Sequence, residues 1–124
     1  MAPVNGTHSD VLEQSLIEVA VDTWRFSRLF ERVLTKLDAG EQARYLSQLR
    51  YFFNRVHEHL EGAGLKLVSV EGQPYDAGMA ATAVNIGDFD AEETLIVDQM
   101  LEPIVMGQDG LRKQGTVVLR KAHV

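Results

Sequence analysis

The histidines and the acidic residues carry the chemistry that is easiest to recognise in this chain. His57 and His59 flank Glu58, but side chains two residues apart on a helix point about 200° apart, so the two rings cannot bind one metal ion. Four carboxylates lie close together at Asp88, Asp90, Glu92 and Glu93. This run lacks the residue order and the closing glutamate of a calcium-binding loop. We interpret both features as solvated surface and expect no metal site and no cofactor.

Motifs for nucleotide binding and nucleophilic catalysis are missing from the sequence. The chain has no cysteine, no phosphate-binding glycine loop and no G-x-S-x-G serine turn. Its net charge of −6 disfavours binding to nucleic acid or to anionic lipid. The first residues do not form a signal peptide, and no apolar stretch is long enough to cross a bilayer. We expect a cytoplasmic protein that is not an enzyme.

Residues 10–37 show the apolar periodicity of a helix with a heptad seam. The apolar positions alternate in steps of four and three. The seam positions are Leu12, Leu16, Val19, Thr23, Phe26, Phe30, Val33 and Leu37, of which Thr23 is the only polar one. Asp10 followed by Glu13 indicates a helix start at Asp10, because both carboxylates can hydrogen-bond the free backbone N–H groups of a first turn. The sequence therefore predicts a long amphipathic helix after a flexible tail at residues 1–9.

A second helix follows a short interruption. Asp38 and Glu41 repeat the capping arrangement, and a second periodic stretch follows as far as Leu60. Gly62 and Gly64 favour an end there, because glycine takes the left-handed conformation at low cost. Residues 10–63 are therefore predicted to form an antiparallel helical hairpin.

The first helix carries more apolar surface than one partner helix can cover. Besides the seam, it has a second apolar face formed by Ile17, Ala20, Val21 and Trp24. A four-helix bundle made from two chains would bury both faces. We therefore predict a homodimer. Its interface is expected to include Leu16, Val19, Trp24, Phe26 and Phe30.

The period changes after Gly64, where short apolar runs alternate with turn residues. The runs lie at 65–70, 83–86, 95–100 and 117–119, and their length is typical of strands. Asp109-Gly110 suits a hairpin whose central residues have positive φ. Helices followed by strands predict an α+β fold. Residues 64–124 would form a small all-β domain that binds a partner.

Two short motifs link this chain to a known family. Residues 72–76, Gly-Gln-Pro-Tyr-Asp, are similar to a G-x-P-F-D-P stretch, and residues 113–119 are similar to R-x-A-x-V-x-V. Together with the order of helix, turn, helix and β-domain, they make the chain resemble GrpE-type nucleotide exchange factors. Ala77 stands where the family has proline, Ala80 and Ala81 replace a His-Glu pair, and Lys113 replaces an arginine. These differences favour a divergent, shortened member with a dedicated partner.

The resemblance implies a co-chaperone that works by binding alone. Its partner would be the ATPase domain of a DnaK-type chaperone, and binding would favour the open, nucleotide-free form and promote ADP release. The residues that the resemblance suggests as contacts are Asp76, Met79, Met106, Arg112 and Lys113.

Two other functions fit the same sequence. One is a homodimeric adaptor or scaffold that keeps the GrpE-like shape but has no exchange activity. The other is a small enzyme with a site between the helices and the sheet, for which the sequence offers only scattered carboxylates.

Overall fold

The computed structural model describes the backbone of residues 3–122 and the side chains of residues 9–122. Two helices come first, and a small all-β region of two sheets follows. The predicted α+β fold class is therefore confirmed. The chain divides between Ala63 and Gly64 into two compact units, which we call the helical unit and the β unit.

The first helix, α1, spans Pro3–Leu34, and the second helix, α2, spans Ala39–Gly62. The predicted start of α1 at Asp10 is wrong, because the helix already begins at Pro3. Proline suits a first helical turn, since its φ is close to the helical value and it has no N–H that needs an acceptor. Residues 3–9 of the predicted tail are thus helical, and the flexibility predicted for the tail remains a prediction. Met1 and Ala2, which also belong to that tail, lie outside the described residues.

The ends of α2 follow the local sequence. The Asp38 carboxylate accepts a hydrogen bond of 2.9 Å from the backbone N–H of Glu41, which confirms the predicted capping at this position. After Gly62, the next glycine, Gly64, has a φ of 80°. The predicted glycine stop is confirmed, because this left-handed conformation is unfavourable for residues with a side chain.

The two helices contact each other through aromatic side chains. The rings of Trp24 and Phe53 meet edge to face, with their centroids 5.8 Å apart. Among residues 9–34 of α1, the buried ones are Ile17, Ala20, Val21, Trp24, Ser27 and Leu34. These positions belong mainly to the second apolar face and not to the heptad seam.

Within its described residues, 64–122, the β unit contains six strands and one turn of 3₁₀ helix. The strands are β1 (Lys66–Val68), β2 (Ala81–Ala83), β3 (Leu95–Glu102), β4 (Ile104–Gly107), β5 (Gly110–Lys113) and β6 (Gly115–Lys121), and the 3₁₀ turn is Ile86–Asp88. The first sheet has the order β1-β4-β5, with antiparallel pairing throughout. The second sheet has the order β2-β6-β3, in which β6 is parallel to β2 and antiparallel to β3. Strand β6 is therefore the centre of the second sheet.

The predicted strand at 83–86 is only partly correct. Strand β2 ends at Ala83, and Ile86 begins the 3₁₀ turn. The Asn85 side chain explains the change, because its amide donates to the Leu119 carbonyl and its oxygen accepts from the Leu119 N–H, both at 2.9 Å. A side chain thus takes the place of a backbone ladder pair, and the strand stops.

The predicted hairpin at Asp109-Gly110 is present, but its backbone differs from the expectation. Gly107 pairs with Gly110, so that Gln108 and Asp109 are the central residues of the turn. Neither has a positive φ, whereas Gly110 has a φ of 124°. The prediction of positive φ at the central residues is therefore wrong. A register shift between Val105 and Met106 accompanies this turn and changes the local twist.

Gly115, at the start of β6, leaves no room for a side chain. An added Cβ would lie 2.8 Å from the Met100 Cε, 3.0 Å from the Glu102 carbonyl oxygen and 3.0 Å from the Ile104 Cγ1. We expect Gly115→Ala to lower the free energy of unfolding by about 1–3 kcal/mol, because overpacking forces its neighbours to move. Urea denaturation measures this loss. An equal loss in Gly87→Ala, where the added Cβ meets nothing within 4 Å, would contradict the steric explanation.

Candidate functional site

The heptad seam of α1 remains at the surface of the structure. Val19 is 57% exposed and Phe26 is 58% exposed, and Leu12 and Val33, each seven residues from one of them, are also exposed. Leu16, Thr23 and Phe30, which alternate with these residues, are half-buried. The ring of Phe26 stacks on the ring of Phe30 with a centroid distance of 6.0 Å. An apolar stripe, which we call the α1 seam, therefore runs along the described part of the helix.

Trp24 differs from the other residues that were predicted to form the dimer interface. It is buried, it contacts Phe53, and the Arg28 guanidinium lies 4.9 Å from its ring centroid. The neighbouring predicted interface residues Val19 and Phe26 are exposed. Trp24 thus lies among the buried residues of the helical unit, on the face beside the α1 seam.

The five predicted partner contacts fall into two groups. Met106, Arg112 and Lys113 belong to the β4–β5 hairpin of the first sheet, whereas Asp76 and Met79 lie in the loop before β2. That loop is shaped by the Asp76 carboxylate, which accepts a hydrogen bond of 2.9 Å from the Gly78 N–H. The structure therefore does not gather all five residues on one element.

Lys113 is part of a partly buried polar cluster. Its ammonium group lies 3.2 Å from a Glu102 carboxylate oxygen, and the same oxygen accepts a hydrogen bond of 3.0 Å from the Thr116 hydroxyl. Glu102 is only 16% exposed at its side chain. The Lys113 charge is thus compensated within the β unit.

The first family-like motif pairs with the edge of β3. The Gly72 N–H donates to the Val97 carbonyl at 2.8 Å, and the Val97 N–H donates to the Gln73 carbonyl at 2.9 Å. Pro74 forms a bridge with Ile96. Because β6 contains most of the second motif and pairs with β3 from its other side, the two motifs flank one strand. The pairing also covers backbone groups that an open edge would expose.

The β unit contains a groove between Pro74–Tyr75 and the segment 86–94. Its volume is about 530 Å³. It is lined by Pro74, Tyr75, Ile86, Phe89, Asp90, Ala91, Glu93, Thr94 and Leu95, and we call it the acidic groove. The carboxylates at 88–93 were predicted to be solvated surface, and this groove was not predicted. Ile86 and Phe89, apolar residues set among carboxylates, were the signal that could have indicated it.

Glu93, which lines the acidic groove, makes two contacts within the β unit. One carboxylate oxygen accepts a hydrogen bond of 2.9 Å from the Asp90 N–H, and the other lies 3.1 Å from the Lys121 ammonium group. The Asp90 N–H, followed by the Lys121 ammonium group, lowers the pKa of the Glu93 carboxyl below its usual value. Glu93 is therefore ionised at neutral pH.

The remaining polar residues show no arrangement typical of a metal centre. Within residues 9–122, no group of three histidine or acidic side chains is placed to hold a metal ion. The His57 ring instead packs edge to face on Phe53, with centroids 5.3 Å apart. Among the described helices, none combines the length and the apolar character that a membrane span requires.

Comparison with known proteins finds no relative of this chain. No family model, no curated protein and no solved structure matches it. The resemblance of residues 72–76 and 113–119 to GrpE-type proteins therefore stays a prediction from the sequence. Three features of the described residues are candidate binding surfaces: the α1 seam, the β4–β5 hairpin and the acidic groove.

Proposed function

We propose that this chain is a dimeric, GrpE-like co-chaperone that binds the ATPase domain of a DnaK-type chaperone and promotes ADP release. The observation that carries the proposal is the position of the two motifs. Residues 72–76 and most of 113–119 are distant in sequence, yet they flank β3 within the β unit. If both motifs help to shape one binding domain, they must lie close together in the fold, and they do so at β3.

The α1 seam supports the dimer. Its exposed residues recur every seven positions, which is the repeat that packs two helices along a shallow left-handed crossing. We propose that α1 and α2 form an antiparallel hairpin and that two hairpins associate into a four-helix bundle through this seam. A second copy of the chain is a suitable partner, because it offers an apolar stripe of the same length.

The proposed mechanism requires differential binding and no covalent step. The β unit would bind the open, nucleotide-free form of the ATPase domain more tightly than the ADP-bound form, and ADP release would become faster for that reason. Arg112 and Asp76 are exposed, and Met79 and Met106 are half-buried. These four residues are the proposed contacts. Lys113 would act mainly by holding the hairpin through Glu102.

Calorimetric titration of a purified DnaK-type ATPase domain with this protein tests the proposed contact. We expect Arg112→Glu to weaken binding by about tenfold, because it replaces an exposed cation at the interface with an anion. Arg50→Glu is the matched control, since Arg50 is exposed on α2. Absence of binding, or equal losses in both variants, would contradict the assignment of the β4–β5 hairpin as a contact.

A homodimeric adaptor without exchange activity is the second candidate. It is favoured by the internal pairing of Lys113 with Glu102, which removes one predicted contact from the set available to a chaperone. Such an adaptor would keep the dimer and would not bind the ATPase domain. The same titration therefore distinguishes the two functions.

A further inference from the structure

The residues that line the acidic groove differ from the residues that are proposed to contact the chaperone. None of Asp76, Met79, Met106, Arg112 and Lys113 lines the groove. Its volume of about 530 Å³ falls in the range of pockets that enclose a ligand or a few side chains of a bound segment. The groove therefore offers a second binding surface in the β unit.

Both walls of the groove are joined to the second sheet by hydrogen bonds, two of which involve the Asn85 side chain. On one side, the Tyr75 N–H donates to the Leu95 carbonyl at 2.8 Å. On the other side, Asn85 is bonded twice to Leu119, and the Ala122 N–H donates to the Thr94 carbonyl at 2.9 Å. A ligand would meet walls that are already ordered, so binding would cost little conformational entropy in the protein.

The lining combines an apolar surface with negative charge. Ile86 is 48% exposed although it is a large aliphatic residue, and Phe89 and Tyr75 add aromatic surface. Asp90 and Glu93, two acidic residues, line the same groove. Lys121 compensates Glu93, whereas the Asp90 carboxylate has no ion-pair partner within the described residues.

The sequence around the lining residues is also negatively charged. No lysine or arginine occurs between Lys66 and Arg112, while Asp88 and Glu92 add two further carboxylates beside the lining residues. An acidic surface of this kind attracts cationic partners and repels anionic ones. The apolar lining requires, in addition, an apolar group to cover it.

We propose that the acidic groove binds an extended segment of a partner protein in which an aliphatic or aromatic side chain stands next to lysine or arginine. The apolar side chain packs against Ile86 and Phe89, and the neighbouring cation lies beside the Asp90 carboxylate. Tyr75 and Phe89 add aromatic rings to the same lining, and an aromatic ring can attract a cation. This second docking surface does not depend on the identity of the partner at the β4–β5 hairpin.

Fluorescence anisotropy with a labelled peptide of sequence Gly-Ser-Leu-Lys-Arg-Ser-Gly tests the proposal. We expect saturable binding to the full chain. One comparison peptide carries two glutamates in place of the lysine and arginine, and another carries serine in place of the leucine. Each should bind at least about tenfold more weakly, since each lacks one of the two required groups.

Two pairs of protein variants locate the binding site. Ile86→Ser should weaken binding by about tenfold, whereas Val84→Ser should leave it unchanged, because Val84 is 58% exposed and lies outside the lining. Asp90→Asn should weaken binding by about threefold, and Asp109→Asn, in the β4–β5 turn, should not. Circular dichroism confirms that each variant is folded.

Three results would overturn the proposal. They are the absence of saturable binding to the first peptide, equal affinity for all three peptides, and equal effects of Ile86→Ser and Val84→Ser. No chaperone is present in this assay. A negative result would therefore contradict the proposed peptide binding and would not contradict the proposed exchange function.

Discussion

Val19→Asp is expected to convert the proposed dimer into separate protomers. Val19 belongs to the α1 seam and is 57% exposed in the single chain. In a bundle formed through this seam, the new carboxylate would be buried without a partner, at a cost of about 2 kcal/mol in each protomer. A two-fold symmetric interface contains the change twice. The dissociation constant should therefore rise on the order of a thousandfold, as measured by sedimentation equilibrium.

Val11→Asp is the matched control for this experiment. Val11 is on the same helix and has the same exposed fraction of 57%, but it does not belong to the seven-residue repeat of the α1 seam. It should leave the dimer intact. If both variants dissociated equally, or if Val19→Asp remained a dimer of unchanged affinity, the α1 seam would not be the interface.

Trp24→Ala is expected to cause the largest loss of folding stability in the helical unit. Trp24 is 7% exposed, and its ring contacts Phe53 and Arg28. Removal of a buried tryptophan leaves a cavity and typically costs about 3–5 kcal/mol. Urea denaturation of wild type and variant at one protomer concentration measures the loss, since dimer formation would otherwise shift the apparent stability.

Tyr51→Ala provides the control for Trp24. Tyr51 is also an aromatic residue of the helical unit, but it is 69% exposed, so its replacement should change stability by no more than about 0.5 kcal/mol. A small effect of Trp24→Ala, similar to that of Tyr51→Ala, would show that the contact with Phe53 does not hold the two helices together.

Local chemistry explains why some elements could be predicted from the sequence. The Asp38 cap and the turn at Gly64 depend on residues within one helical turn. Such local interactions can be predicted from a few neighbouring residues of the sequence. The start of α1 was predicted too late because Asp10 offers a capping carboxylate, while Pro3 is an equally good first-turn residue. Two adequate start signals cannot be ranked by sequence alone.

Long-range contacts explain the features that were missed. The sequence showed two apolar faces on α1 but could not indicate that the face with Trp24 is covered within one chain and that the face with Phe26 is not. The strand at 83–86 was predicted too long, because the hydrogen bonds that end it join Asn85 to Leu119. The acidic groove arises in the same way, since strand β3 brings Pro74 and Tyr75 beside the segment 86–94.

The rate of ADP release from a DnaK-type ATPase domain is the most direct test of the proposed function. A fluorescent ADP analogue bound to the domain is mixed with excess unlabelled nucleotide, with and without this protein, in a stopped-flow instrument. We predict faster release in the presence of the protein and a smaller acceleration with Arg112→Glu. An unchanged release rate, in the presence of a folded dimer, would contradict the proposal and leave the adaptor function.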